Sequence, residues 1–160
     1  MDLCHICHIR ALRAEEYGRL KEFLYEAIFL PDGAQPLPRE VTDDPSLRIY
    51  WEGFGREPDD RALCAEAKGQ IIGAIWCRML PEGFGHADRR TPELALAAYR
   101  AQGIGSRLIG QMLEALRDAG YAQVSLAVQQ ANRAHRLYRR FGFEVIRETP
   151  EEFIMVKSLR

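Results

Sequence analysis

Two glycines, Gly103 and Gly105, lie between an apolar segment and a stretch with helical periodicity. A glycine turn at the start of a helix presents main-chain N–H groups that have no acceptor in the helix, together with the positive end of the helix dipole. Arg100 adds a full positive charge just before the turn. Groups of this kind bind a phosphate or pyrophosphate. The sequence therefore predicts a phosphate-binding turn over residues 100–106.

The spacing of the glycines excludes two other glycine-loop families. A Walker A loop needs Gly-x-x-x-x-Gly-Lys-Ser/Thr, and no lysine follows Gly105. A dinucleotide fingerprint needs Gly-x-Gly-x-x-Gly near the first strand and an acidic residue about 20 positions further on. Gly103, Gly105 and Gly110 do not have that spacing, and they occur late in the chain. The remaining pattern is Arg-x-x-Gly-x-Gly.

The segments around this turn alternate between strand and helix patterns. A strand is predicted over 93–98, immediately before the turn. A helix with an apolar stripe follows the turn and ends at Gly120, a residue type typical of the position after a helix. The other predicted elements are strands near 3–10, 62–67, 71–79, 123–129, 143–146 and 153–159, a helix over 14–28, and a short helix that ends at Gly142.

The segment 31–60 has a different composition from the rest of the chain. It holds five of the eight prolines and an aromatic group at Tyr50, Trp51 and Phe54. We interpret it as a long loop with one short helix over 45–53. Loops of this length in compact domains are usually functional, so we expect this one to carry substrate specificity.

Residues 93–145 resemble the cofactor region of the GNAT superfamily of acyl-CoA-dependent N-acyltransferases. The signature Gln/Arg-x-x-Gly-x-Gly/Ala of that family is matched by Arg100, Gly103 and Gly105. Its second half is matched by Asn132 and by Leu-Tyr-x-x-x-Gly-Phe over 137–143. The resemblance extends over essentially the whole chain. It implies a single domain over 1–160, with an acyl-CoA-binding core at 93–145 and a variable acceptor-side loop at 31–60.

The resemblance also implies a fold and a reaction. The fold is α/β (α+β), with a mixed, mostly antiparallel central sheet of about 6–7 strands and helices on both faces. The cofactor is acetyl-CoA, which acts as co-substrate, and no metal takes part. An amine attacks the thioester directly, without an acyl-enzyme intermediate.

Individual roles follow from the positions that match the family motif. Tyr138 would be the general acid that protonates the departing thiolate, and Asn132 would contact the cofactor or cap the following helix. The segment between the strand and Arg100 is about three residues shorter than in many members, a change that loops tolerate. The implied cofactor-binding residues are Leu96, Ala97, Ala98, Arg100, Gln102, Gly103, Ile104, Gly105, Ser106, Asn132 and Tyr138.

A general base is needed because the attacking amine must lose a proton. From position alone, Glu93 at the start of the central strand is the predicted base, and His86 in the preceding loop is the alternative. The side chains expected to line the acceptor pocket are Glu22, Tyr25, Glu26 and the aromatic residues of 50–54.

Two other functions stay open on the same fold. A non-catalytic acyl-CoA-binding regulatory module would keep the phosphate turn without turnover, since a fold does not fix a function. A generic phosphate- or nucleotide-binding domain would bind ATP or NAD and be indifferent to CoA. The Tyr138 match favours the enzyme.

The charge and the apolar runs restrict the partners. The chain of 160 residues has 22 Lys and Arg against 23 Asp and Glu, a balance that argues against a nucleic acid as partner. No run reaches 18 apolar residues and the N-terminal segment lacks the pattern of a secretory signal, so no membrane partner is predicted. A cytoplasmic location and a homodimer are further expectations. The expected partners are acetyl-CoA and an amine acceptor.

The Cys4-x-x-Cys7 motif, with His5 and His8 beside it, is the one pattern that suggests a metal. A zinc site needs further ligands converging on one point, and a second such pair is absent from the sequence. Alternation along the predicted strand 3–10 also directs the two thiols to opposite faces. No metal site is therefore predicted.

Overall fold

The computed structural model describes residues 7–98 and 103–160, which contain seven strands in one sheet. The strands are β1 (His8–Ala11), β2 (Arg61–Ala67), β3 (Gln70–Arg78), β4 (Glu93–Ala98), β5 (Gln123–Gln129), β6 (Glu144–Glu148) and β7 (Glu152–Ser158). Their order across the sheet is β1-β2-β3-β4-β5-β7-β6. Neighbouring strands are antiparallel except β4 and β5, which are parallel. The predicted mixed, mostly antiparallel sheet is confirmed.

Four α-helices lie on the two faces of this sheet. They are α1 (Leu20–Ala27), α2 (Pro45–Arg48), α3 (Ile104–Asp118) and α4 (Ala134–Arg140), and short 3₁₀ segments cover Ala14–Arg19 and Arg39–Asp43. The core on one face is built around α3, with α4 beside it. The core on the other face is built from α1 and the aromatic residues of the 31–60 segment. The predicted placement of helices on both faces is confirmed.

The apolar stripe of helix α3 packs against the sheet from the first turn of the helix onward. Ile104, Leu108, Met112 and Leu116 are completely buried. Burying a side chain of this kind contributes about 1.5–3 kcal/mol, so the first turn of α3 is firmly held. The helix stops where expected, because Gly120 follows with a φ of 91°, in the left-handed region that favours glycine.

Two predicted helices are shorter than the sequence patterns suggest. The segment 14–28 begins with 3₁₀ turns, where Glu16 accepts hydrogen bonds from Arg10 and from the main chain of Arg13. The helix predicted over 45–53 ends at Arg48. The carbonyls of Ile49 and Glu52 instead accept hydrogen bonds from the buried guanidinium of Arg78, which draws the chain out of the helix.

The parallel strands β4 and β5 meet at one end and leave a gap toward the other. In the described part of the chain they pair at Glu93 and Ser125, where the Ser125 N–H donates to the carbonyl of Pro92. No further pairing between these two strands is found in those residues up to Ala98. The gap therefore closes at Glu93 and opens toward the glycine turn.

Candidate active site

Gly103 forms the N-terminal cap of α3 in a left-handed conformation, with φ 69° and ψ 4°. The Arg107 N–H donates to the Gly103 carbonyl, so the helical ladder starts there. The N–H groups of Ile104, Gly105 and Ser106 precede that bond and have no acceptor within the helix. N–H groups at a helix start are suited to bind an anion, and the phosphate site over 100–106 stays a prediction. Arg100 and Gln102 lie outside the described residues.

Gly105 leaves space above the first turn of α3. A Cβ at this position would lie 3.5 Å from Leu137 and 3.6 Å from Leu96, which are ordinary contacts. The packing of the protein itself therefore does not require glycine at 105. A glycine here does allow a ligand to approach the main chain closely.

The edge of β4 that faces the gap carries main-chain groups of alternate residues. The Pro92 carbonyl points to β5, and the direction alternates along a strand, so the main-chain groups of Leu96 and Ala98 also face the gap. By the same alternation the main-chain groups of Ala97 face β3. Main-chain contacts of Leu96 and Ala98 with a ligand in the gap fit this geometry better than one of Ala97, and all three contacts stay predictions.

Tyr138 is buried on α4, and its ring packs edge-on against Phe143 at a centroid distance of 5.8 Å. Burial raises the pKa of Tyr138 to about 12, so the phenol keeps its proton at neutral pH. Within the described residues its hydroxyl has no hydrogen-bond partner. Tyr138 is thus both a packing residue and a protonated donor.

Asn132 lies directly before Arg133, the N-cap residue of helix α4, whose own side chain makes no capping hydrogen bond. The Asn132 Oδ1 accepts a hydrogen bond of 2.9 Å from the N–H of Ala134, the first residue of the helix. Asn132 therefore satisfies one N–H of the first turn, as a cap does, and the amide NH₂ group of its side chain is left for another acceptor.

Glu93 is a buried carboxyl group, with 3% of its surface exposed. Its Oε2 accepts a hydrogen bond of 2.5 Å from the Tyr50 hydroxyl, while its Oε1 has no hydrogen-bond partner within the described residues. Burial raises the pKa of Glu93 to about 7, against the effect of the Tyr50 hydrogen bond, which lowers it. A carboxyl with a pKa near neutrality is suited to act as a general base.

The loop between β3 and β4 covers this carboxyl group closely. A Cβ at Gly83 would lie 2.0 Å from Glu93 Oε1 and 2.9 Å from the Cβ of Leu80, and one at Gly85 would lie 2.6 Å from the main chain of β5. These glycines let the loop approach both strands at the closed end of the gap. His86, the alternative base, follows in the same loop, and its carbonyl accepts from Arg147.

A pocket of about 380 Å³ adjoins the loop on the side of the 31–60 segment. Leu80 belongs to its apolar wall. The Leu80 Cβ and Glu93 Oε1 both lie within 3 Å of the position that a Cβ on Gly83 would occupy, so this wall is close to the carboxyl group. The lining residues are Ile49, Glu52, Arg78, Met79, Leu80, Pro81 and Glu82. Glu52 and Glu82 are exposed, whereas Arg78 is neutralised by Asp60.

The lining of the acceptor pocket stays a prediction, and the structure gives the surroundings of the α1 residues in it. Glu22 and Glu26 are exposed on α1, and the Tyr25 hydroxyl donates to the carbonyl of Leu37. Sequence reasoning missed the contact of Tyr50 with Glu93, because nothing in the pattern of a long loop indicates a partner 43 residues away. It also missed Ser125, whose place opposite Glu93 follows only from strand pairing.

The described cysteines are buried packing residues. Cys7, Cys64 and Cys77 are each less than a tenth exposed, and Cys4 lies outside the described residues. Among the residues that the structure describes, no cluster of three His, Cys, Asp or Glu side chains is arranged to hold a metal ion. No helix in that part of the chain is long and apolar enough to cross a membrane.

Residues 23–143 match the model of the acetyltransferase (GNAT) family. Solved structures share the fold at low sequence identity. A PaiA N-acetyltransferase from Thermoplasma acidophilum in complex with coenzyme A has a TM-score of 0.69 and 21% identity, covering 95% of this chain and 98% of that one. YncA from Salmonella typhimurium, a putative acetyltransferase with its cofactor acetyl-CoA, has a TM-score of 0.71 and 17% identity, with coverage of 97% and 95%.

The ribosomal-protein-S18-alanine N-acetyltransferase from Escherichia coli is similar to the same extent. Its TM-score is 0.64 at 17% identity, and the match covers 96% of this chain and 94% of that one. At these identities the likeness shows a common fold.

Proposed function

The chain belongs to the GNAT acetyltransferase family, and from that premise we propose that it moves an acetyl group from acetyl-CoA directly to a primary amine. The observation that carries the proposal is the state of Glu93. Its carboxyl group is buried at the closed end of the β4–β5 gap, its Oε1 has no partner in the described residues, and its pKa is about 7. Buried carboxyl oxygens without a hydrogen-bond partner are rare, and carboxyl groups with a strongly shifted pKa cluster at functional sites.

The proposed position of the cofactor follows from the two ends of the gap. The pyrophosphate would bind to the N–H groups of residues 103–106, assisted by Arg100 and Gln102. The pantetheine arm would pair with the main-chain groups of Leu96 and Ala98 that face the gap, as an added partial strand. This path ends near Glu93, which would place the thioester carbon beside the base.

The proposed reaction has one proton transfer at each end. Glu93 Oε1 takes a proton from the amine as the C–N bond forms at the thioester carbon. The tetrahedral intermediate then collapses, the C–S bond breaks, and Tyr138 donates its proton to the CoA sulfur. The products are the amide and free CoA. Glu93 then releases its proton to solvent, and Tyr138 regains one from solvent. General acid and base groups each contribute typically about 10²–10⁴-fold to such a step.

We place the acceptor in the pocket beside Leu80. Its apolar wall lies next to Glu93, and the exposed carboxylates of Glu52 and Glu82 stand at its edge. Negative potential at the mouth of a pocket attracts cations. These features support an amine that has an apolar body and a positive charge.

Two measurements separate the enzyme from a binding module. Calorimetry should detect acetyl-CoA binding in the wild type and equally in Glu93→Gln, which keeps the shape of the site. A panel of primary amines should then yield an acetylated product and free CoA thiol with the wild type only. Acetyl-CoA binding without acetylation of any amine would support the regulatory module, and binding of ATP or NAD in place of CoA would support the nucleotide-binding alternative.

A further inference from the structure

Two hydrogen bonds of the Tyr50 hydroxyl determine the direction in which its proton points. It accepts a hydrogen bond of 3.0 Å from the main-chain N–H of Phe84 and donates one of 2.5 Å to Glu93 Oε2. A phenol has a single proton. Burial raises the pKa of Tyr50 well above its usual value, so the proton stays on the phenol and Glu93 is the acceptor.

The main chain and ring of Tyr50 are fixed independently of Glu93. The Tyr50 carbonyl accepts a hydrogen bond of 3.0 Å from the indole N–H of Trp76, a fully buried residue of β3. The ring lies parallel to that of Phe84 at a centroid distance of 6.4 Å. The hydroxyl is therefore a rigid anchor, supported by both the sheet and the β3–β4 loop.

The two oxygens of Glu93 are consequently not equivalent. Oε2 is occupied by Tyr50, and Oε1 is buried without a partner in the described residues. Tyr50 thereby fixes the orientation of the carboxyl group and leaves one oxygen for a ligand. A hydrogen bond to the ionised form also makes that form easier to reach in an apolar site.

We propose that Tyr50 is a positioning residue for the general base: its hydroxyl orients Glu93 so that Oε1 receives the proton of the amine, and it stabilises the carboxylate that does so. This inference rests on the proposed function. It connects the 31–60 segment, where Tyr50 lies, to the reacting end of the gap.

The main chain of Gly85 also lowers the pKa of Glu93, whereas the other groups around the carboxyl raise that pKa or leave it unchanged. Burial raises the pKa of Glu93, and the carboxylate of Glu152 on β7 raises it further. Arg78, opposite Glu93 on β3, is directed to Asp60 and to the carbonyls of the α2–β2 connection. Ser125 on β5 is uncharged. Tyr50 is thus the side chain that favours the ionised form.

The test compares Tyr50→Phe with a matched control, Tyr121→Phe. The Tyr121 hydroxyl also donates to a carboxylate, that of Asp59, and does not contact Glu93. Carboxyl carbons of ¹³C-labelled glutamate are followed by NMR across the pH range, and Glu93 is assigned by its absence in Glu93→Gln. We expect the pKa of Glu93 to rise by about 1–2 units in Tyr50→Phe and to stay in place in Tyr121→Phe.

The same variants are then assayed with the amine that the panel identifies. The fall of kcat/KM on the acid side should move to higher pH in Tyr50→Phe. At pH 7 the loss should be about 5- to 50-fold, and it should be largely recovered above pH 9. An equal loss at every pH, or an unmoved Glu93 midpoint, would overturn the proposal. A wild type that acetylates no amine would instead defeat the proposed function.

A measurement on the wild type keeps the proposal falsifiable if Tyr50→Phe does not fold. Tyrosine is labelled with ¹³C at the ring Cζ, and its chemical shifts are followed across the pH range. One tyrosine resonance should change with the same apparent pKa as Glu93, and this change should disappear in Glu93→Gln. If no tyrosine follows the Glu93 titration, the contact does not exist in solution and the proposal is wrong.

Discussion

Glu93 lies directly opposite Ser125, at the position where the parallel strands β4 and β5 pair. Paired residues direct their side chains to the same face of a sheet. Glu93 Oε1 and Ser125 Oγ are both buried, and neither has a hydrogen-bond partner within the described residues. Native proteins rarely leave such atoms unpaired. Two of them at the closed end of one gap indicate a place where a ligand or water completes the hydrogen bonding.

The glycine turn is tested by placing alanine at two left-handed positions of the same helix. Gly103 precedes α3 with a φ of 69°, and Gly120 follows it with a φ of 91°. Each substitution should cost about 1–2 kcal/mol in backbone strain, or a few degrees of melting temperature. Gly103→Ala should also weaken acetyl-CoA binding at least about tenfold in calorimetry, because a Cβ crowds the pyrophosphate.

Gly120→Ala serves as the control, since a Cβ there meets no atom within 4 Å and lies at the other end of the helix. It should lose stability and keep its affinity for acetyl-CoA. Equal affinities in the two variants would contradict a phosphate site at Gly103.

Much of this fold is readable from local patterns. The strands at Glu93–Ala98 and Gln123–Gln129 have the predicted bounds, and Gly120 and Gly142 end helices with positive φ as expected. Apolar periodicity and glycine positions are local properties, so a sequence displays them. The early end of the helix at Arg48 is not local, because Arg78 captures the carbonyls that would have continued it.

The site is readable only in part, for the same reason. Motif spacing identifies Gly103 and Tyr138, and position along a strand identifies Glu93. The partners of Glu93 come from elsewhere in the chain: Tyr50 from a long loop and Ser125 from a neighbouring strand. Their contact depends on strand order and loop path, which no single segment encodes. The direction of the Ala97 main chain toward β3 likewise follows from the hydrogen bond between Ser125 and Pro92, which sets the alternation along β4.

Removal of the Tyr138 hydroxyl should separate catalysis from packing. Tyr138→Phe keeps the ring and its contact with Phe143, so the melting temperature and the affinity for acetyl-CoA should be unchanged. Turnover should fall by about 10²–10⁴-fold, the range of a lost general acid. A variant with wild-type turnover would show that the thiolate leaves without a proton from Tyr138, and the residue would then be a packing residue alone.

Two substitutions at Asn132 distinguish the helix cap from a cofactor contact. Asn132→Asp keeps an oxygen for the Ala134 N–H, so its stability should be close to that of the wild type. Asn132→Ala loses the cap and should be destabilised by about 1 kcal/mol in urea unfolding. If the side-chain NH₂ also binds the cofactor, both variants should bind acetyl-CoA more weakly. Wild-type affinity in both would restrict Asn132 to capping.

The raised pKa of Glu93 predicts how stability depends on pH. Burial raises the pKa of Glu93 to about 7 in the folded protein from an ordinary value of 4.5, so the folded state holds the extra proton between these pH values. Stability is therefore lost as pH rises from about 4.5 to 7. Glu93→Gln removes that loss and should be more stable than the wild type at pH 8, by on the order of 2–3 kcal/mol, with little difference at pH 4.5.

Glu16 provides the opposite case. Its hydrogen bonds from Arg10 hold the pKa of Glu16 at about 2, so its contribution is present above the unfolded value and lost as pH falls toward 2. Glu16→Gln should be less stable than the wild type at pH 8. Urea unfolding of both variants at pH 4.5 and 8 checks these signs, and a Glu93→Gln variant that is less stable at pH 8 would contradict the burial of an ionisable Glu93.

The role of Glu93 as the base is tested by the pH dependence of kcat/KM for acetyl transfer, measured for the wild type and Glu93→Gln with the same amine. In the wild type, kcat/KM should fall on the acid side with an apparent pKa near 7, where Glu93 titrates. In Glu93→Gln, kcat/KM at pH 8 should be lower by about 10²–10⁴-fold, and the fall with an apparent pKa near 7 should be absent. A Glu93→Gln enzyme with wild-type kcat/KM and the same acid limb would contradict the assignment of Glu93 as the base.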